Sequence, residues 1–273
     1  MAVTTRLSID TKENPDVVEL RATAGETNSA WLRRAKATRG ILLVGGASLT
    51  DFRLRVAQSH LRRDLMPSFW SFAGWYDGKD SFDSVTLSWP DASAIRQCNG
   101  VQTLPIAAID DPSWFPNIAV LRFTRPAASL GDEVDRVKRD RSVIDLPSLI
   151  LPWLGFVWGT SQYANPLLSG MGVPSGAFVE AIHALAGVEL TPGLSSSASC
   201  PEAIWVAAKW WRSYYEKGAK RAATNQARAR TPSGVYTTRQ RSAFVHDPND
   251  PHESAAGARK RTSGYRHRAR AGV

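Results

Sequence analysis

Apolar positions along this chain change their spacing near residue 125. Before it they fall in short runs bounded by turn residues, which reads as a series of strands. Gly40–Val44 (GILLV) precedes Gly45-Gly46, and Ser71–Tyr76 ends at Asp77-Gly78. Ser84–Trp89 is stopped by Pro90, Val101–Ile106 follows the Asn99-Gly100 turn, and Ile118–Phe123 closes the series. One helix interrupts them, Leu49–Arg63, with Thr50 or Asp51 as its cap. Trp31–Arg39 predicts a short basic helix ahead of them.

After residue 125 the period lengthens to that of helices. Gly131–Asp140 is charged and reads as an exposed helix, and Leu146–Trp158 as an apolar helix broken by proline. In Gly172–Gly193, Val173-Pro174 forces an extended start, Phe178, Val179, Ile182, Leu185 and Ala186 recur at helical spacing, and Gly187 stops the helix. Glu202–Ala223 carries Ile204, Ala208, Trp211 and Tyr215 in one row, which predicts another helix. The expected class is therefore α+β: one domain over residues 31–223, a polar lead-in over 1–30, and a basic tail over 224–273.

Composition supports a filled core, with 43% hydrophobic residues and ten Trp in 273 residues. Cys98 and Cys200 make neither a disulfide framework nor a zinc pattern, so no metal and no cofactor is expected. The first twenty residues lack an apolar leader, and no run of 18 apolar residues occurs, so a cytoplasmic location is expected.

Charge changes the picture at one end only. The net charge is +9, yet residues 217–273 hold thirteen Lys/Arg against three Asp/Glu, a net of +10, which leaves −1 for residues 1–216. Arg259-Lys260-Arg261 and the Arg266, Arg268, Arg270 cluster have almost no apolar residues between them, and disorder is expected from about Thr231. Three roles fit such a tail: a solvated solubility segment, a contact for a polyanion (nucleic acid or an anionic membrane), or a dock onto a larger protein assembly. Trp205, Trp210 and Trp211 in the preceding helix are either core or a docking face for a protein partner.

Ser175 stands at the mouth of the helix that follows Pro174. It fits a capping role, and it also fits the place where cysteine hydrolases keep a thiolate against a helix dipole. Two stretches sharpen the second idea. GILLVGGASLTDFRLRVAQ…PSFWSFAGWYDG and GVPSGAFVEAIHALAGVELTPG together resemble the circularly permuted NlpC/P60-like group of papain-like hydrolases, in the order strand, His-bearing strand, strands, nucleophile helix. The resemblance spans roughly residues 39–194. It implies a papain-like core in which antiparallel sheet packs on helices, and a site where a thiolate attacks a carbonyl while a His shuttles the proton.

Carried over singly, the nucleophile falls on Ser175, the His on Phe72, and the third residue near Ser88 or Trp89. Trp70, Ser71 and Phe178 complete the implied pocket. Phenylalanine is no base, and a serine without a base is a poor nucleophile. His60 is the candidate substitute, since His183 lies eight residues further along the same helix as Ser175. The resemblance therefore implies a catalytically degenerate protein that binds or scaffolds. The alternatives are a hydrolase of amide, ester or thioester bonds using Ser175, and a polyanion binder acting through the tail.

Overall fold

The computed structural model describes residues 17–123, 130–159, 164–209 and 232–239. It is α+β. Seven strands form one sheet in the order β1-β7-β6-β2-β3-β4-β5. They are β1 (Val17–Glu19), β2 (Gly40–Gly45), β3 (Phe72–Tyr76), β4 (Ser81–Ser84), β5 (Gln102–Pro105), β6 (Asn117–Arg122) and β7 (Ser233–Thr238). All neighbours are antiparallel except β1 and β7, which run parallel.

The centre of the sheet is apolar on both faces. Every residue of β2, β3 and all but the last of β6 is buried. Side chains alternate across a strand, so Ile41, Leu43, Ala73, Trp75, Ala119 and Leu121 enter one core. Leu42, Val44, Phe72, Ile118 and Val120 enter another. The first core is covered by α2 (Leu49–Ala57), α4 (Leu130–Arg139), α5 (Leu146–Trp158), α6 (Pro174–Leu185) and the helical residues 201–209. The second is covered by α1 (Asn28–Arg34) and the short 3-10 turn Ile106–Ile109. A short helix α3 (Ala92–Gln97) links β4 to β5.

Several expectations shift by a few residues, each for a local reason. The cap of α2 is Ser48, whose Oγ accepts from the Asp51 N–H at 3.1 Å and donates to the Asp51 carboxylate at 2.6 Å. This reciprocal box takes the role expected of Thr50 or Asp51. The strand after the Asp77-Gly78 turn is Ser81–Ser84, not Ser84–Trp89, because the turn hands the chain directly to an antiparallel partner with Tyr76 opposite Phe82. The helix α5 is continuous through Pro152 and ends at Gly159 in a left-handed cap. Proline removes only one backbone donor there, and a helix packed along its length tolerates that loss.

The largest difference lies at the start of the expected tail. Residues 233–238 form β7, inserted between β1 and β6 with Val235 opposite both Val18 and Val120. Pairing on both sides gives this strand the hydrogen bonds its composition does not advertise. Gly234 permits it, since a Cβ there would run into the Val120 carbonyl. The segments 1–16, 210–231 and 240–273 lie outside the described residues, and with them Trp210, Trp211 and the clusters Arg259 to Arg261 and Arg266 to Arg270.

Gly234→Ala is expected to lower the stability of the chain by about 1–3 kcal/mol through this backbone collision. Urea unfolding reads it as a drop in midpoint at unchanged slope. An unchanged midpoint means that residues 233–238 are not part of the sheet.

Candidate functional site

The mouth of α6 is fixed from three sides. Pro174 is its first residue and Val173 precedes it in extended conformation. The indole of Trp153 donates to the Gly172 carbonyl at 2.8 Å, and the Gly172 N–H reaches the Ser197 carbonyl at 2.7 Å. Gly176 then lets the Cys200 backbone pass directly against the helix, where any Cβ would collide.

Ser175 does not cap α6: the N-cap is Val173, and no side chain bonds to the helix start. Its hydroxyl oxygen instead accepts the Ala73 N–H of β3 at 3.1 Å. The reason lies in the sheet. β4 pairs with β3 only from Gly74 to Tyr76. One residue beyond, the Ala73 N–H is taken by Ser175, and the Ala73 carbonyl accepts from the Ser84 hydroxyl. Two side chains thus do what a longer β4 does elsewhere, leaving neither backbone group unpaired in a buried place.

Positions 175 and 72 approach the same strand from opposite sides: the serine oxygen reaches the Ala73 N–H from the α6 layer, while the Phe72 side chain points to the other face of the sheet. Phe72 itself packs in the second core. Its ring lies 6.4 Å from Trp89 and 6.3 Å from Phe115, both edge-on, and 6.3 Å from Phe82, stacked. Trp89 and Phe115 also meet each other at 6.0 Å. Phe72, Trp89 and Phe115 form a closed triangle of edge-to-face contacts, the favourable geometry for aromatic quadrupoles. Trp89 and the half-buried Ser88 lie after β4, outside any strand.

The remaining predicted pocket residues serve the interior. The Ser71 hydroxyl accepts the Gly46 N–H at 3.0 Å and donates to the Val44 carbonyl at 3.2 Å. Trp70 is fully buried against Trp205 with centroids 5.1 Å apart, and Phe178 is fully buried in the first core. Trp205, a candidate docking residue, is likewise buried. It packs on Trp70 and on Tyr236 of β7, with the Lys209 ammonium 5.3 Å from its ring centre. The strand β7 supplies the cover that turned this indole inward.

No second group converts Ser175 into a nucleophile. Among the described residues its hydroxyl has no hydrogen bond to a His, Asp, Glu or Lys. His60 is exposed, with Nδ1 on the Ala57 carbonyl at 3.1 Å. His183 is buried beside Trp75, its Nδ1 on the Val179 carbonyl at 2.8 Å, and burial pushes its pKa down to about 4. The Cys200 thiol is buried and pushed up to about 12, first by desolvation, so it is a thiol and not a thiolate at neutral pH. No cluster of three metal-ligating side chains occurs among the described residues.

Glu180 was not singled out from sequence, although an acid within the apolar FVEAIHAL stretch is itself a signal. Its Oε1 accepts from the Leu190 and Thr191 N–H groups and its Oε2 from the Thr191 and Ser199 hydroxyls. Burial raises its pKa, opposed by these hydrogen bonds. The carboxylate ties α6 to the loop that leads into residues 201–209. A second buried acid does the same for α2. Glu202 accepts from the Ser68 hydroxyl at 2.6 Å, and its N–H donates to the Gln58 side chain at 2.8 Å.

No known protein family, curated protein or solved structure matches this chain. No helix among the described residues is long and apolar enough to cross a membrane.

Ser175→Ala leaves the buried Ala73 N–H unpaired and is expected to cost about 1–3 kcal/mol in urea unfolding. Ser175→Cys, which keeps a weak acceptor, is expected to cost less. Equal stability of Ser175→Ala and the parent removes the strand-sealing role. For His183 the folded pKa lies below the unfolded value near 6.5. Its stability contribution is therefore intact above pH 6.5 and is lost as the pH falls toward 4. Between pH 7 and pH 4.5 that loss amounts to about 2.5 kcal/mol. His183→Gln should remove a loss of that size from the unfolding free energy measured at the two pH values. An unchanged pH dependence means that this imidazole titrates normally.

Proposed function

We propose that this chain is a catalytically degenerate relative of the permuted NlpC/P60-like hydrolases, acting as a binding or scaffolding protein. The observation that carries the reading is the Ser175 hydroxyl on the Ala73 N–H, one residue from Phe72. The two positions carried over for nucleophile and base lie on opposite faces of β3 and do not face each other, and each is engaged in structure. Ser175 seals the end of β3, and Phe72 fills an aromatic triangle with Trp89 and Phe115. A hydroxyl that accepts a backbone hydrogen bond, with no base in contact, lacks the activation that acyl transfer requires. The buried Glu180 bonds to Leu190, Thr191 and Ser199 and the buried Glu202 to the Ser68 hydroxyl, and neither is hydrogen-bonded to Ser175.

What remains of a hydrolase fold in this reading is its rigidity: a sheet clamped between two layers, with loops and surfaces free to take up a partner. Fluorophosphonate labelling of the folded chain is the test. The expected result is no labelling above that of Ser175→Ala at neutral pH. Stoichiometric labelling at Ser175 makes the chain a serine hydrolase and ends the reading.

A further inference from the structure

Asn99-Gly100 is the one Asn-Gly pair in the chain, and the reading built on Ser175 makes no use of it. The pair follows α3 and leads into β5. Both residues are left-handed, with φ of 52° at Asn99 and 86° at Gly100. The Gly100 N–H donates back to the Ala94 carbonyl of α3 at 2.8 Å, and the Val101 N–H to the Cys98 carbonyl at 2.9 Å. The turn lies tight against α5. A Cβ on Gly100 would stand 2.4 Å from Cδ1 of Ile150.

Asn99 is 2% exposed, and its side chain joins three segments. Its amide nitrogen donates to the Val137 carbonyl in the last turn of α4 at 3.3 Å, and to the Ile144 carbonyl ahead of α5 at 2.7 Å. Two carbonyls need one group with two protons to give, and an amide of this length supplies both. Its Oδ1 is buried with no hydrogen bond among the described residues. An aspartate at this position gives neither proton. It places a charge between two carbonyl oxygens in an apolar interior, a costly arrangement.

We propose that Asn99 is a deamidation site that the fold shuts and unfolding opens, and that the modified chain cannot return to the fold. This goes beyond the scaffold reading and is independent of Ser175. In the unfolded chain the Gly100 nitrogen loses its proton to solvent base and bonds to Asn99 Cγ, unhindered because glycine carries no side chain. The Cγ–Nδ2 bond breaks, and the nitrogen takes a proton from water and leaves as ammonia. Water then adds to either carbonyl of the five-membered imide and opens it to aspartate or isoaspartate. In the folded chain the attacking nitrogen is buried and its proton is held by Ala94, while the leaving nitrogen is held by Val137 and Ile144. Reaction there requires these bonds to open together. Neither product fits the closed turn. Aspartate meets the two carbonyls, and isoaspartate lengthens the main chain where Gly100 already touches Ile150. Each copy thus keeps a record of time spent unfolded, written as the loss of its own refolding.

The test holds the full chain with reductant at mildly alkaline pH, folded in buffer or unfolded in guanidinium chloride, and follows Asn99 by peptide mass spectrometry. A synthetic peptide of residues 95–104 in the same two solutions corrects for any effect of denaturant on the chemistry. Conversion at Asn99 is expected to be at least about tenfold slower in the folded chain than in the unfolded one. After dilution from denaturant, a protease pulse is expected to destroy copies modified at Asn99 and to spare unmodified ones. Asn99→Asp is expected to lower the guanidinium midpoint, and its failure to fold at neutral pH is the extreme of the same result. The rate comparison is made on the parent chain and does not depend on that variant. Four outcomes overturn the proposal: equal rates in the two states, no preference for Asn99 over the other asparagines in denaturant, equal survival of modified copies, or a parent-like midpoint for Asn99→Asp. Labelling at Ser175 decides the scaffold reading separately and is indifferent to Asn99.

Discussion

The strand β2 has no side that tolerates water. Ile41, Leu42, Leu43 and Val44 are all fully buried, two facing each way. A strand of this kind is stable only when both faces of its sheet are covered and both edges are paired. β3 and β6 satisfy the edges. The two layers of cover follow, the thick one of helices and the thin one of α1 with the Ile106–Ile109 turn. Trp31 in the thin layer is fully buried, and its indole donates to the Leu20 carbonyl at 2.7 Å, so one large side chain does much of the covering.

The same demand explains the polar residues inside. Wherever a strand ends within the covered region, a side chain completes its backbone pairing. Ser175 and Ser84 do so at Ala73, Ser71 at Gly46 and Val44, and Asn28 at the Ile109 and Phe115 carbonyls. These hydroxyls and amides resemble a catalytic inventory when read singly. Placed in the fold, each closes a local hydrogen-bond account. Burial acts on the titratable groups in the same direction, holding Cys200 protonated and His183 neutral.

Much of this was legible in sequence. The runs at 40–44, 72–76 and 118–122 are strands because a short apolar segment between turn residues has few other solutions, and α6 follows from Pro174 and the spacing of Phe178, Val179 and Ile182. What was not legible depends on partners remote in the chain. The polar SGVYTT segment becomes β7 only because β1 and β6 both offer it hydrogen bonds. The fate of Trp205 hung on that strand, since Tyr236 packs against it. The role of Ser175 hung on where β4 stops, and that is set by the Asp77-Gly78 turn about a hundred residues earlier. Helix-capping preference is a local rule, and here a tertiary hydrogen bond overrode it.

The placement of β7 also sets an order of events. Val17 lies opposite Gly234 and Val18 opposite Val235, while the other face of β7 pairs with β6. β1 precedes β7 in the chain by more than two hundred residues and has no seat in the sheet until residues 233–238 are in place. Until residues 233–238 are in place, therefore, the outer edge of β6 stands open, and Ile118, Ala119 and Val120 present unpaired backbone flanked by apolar side chains. Such an edge invites strands from neighbouring chains. Late closure across so long a loop is slow. A chain whose residues 233–238 are not yet seated is therefore the form in which neighbouring copies can pair along β6.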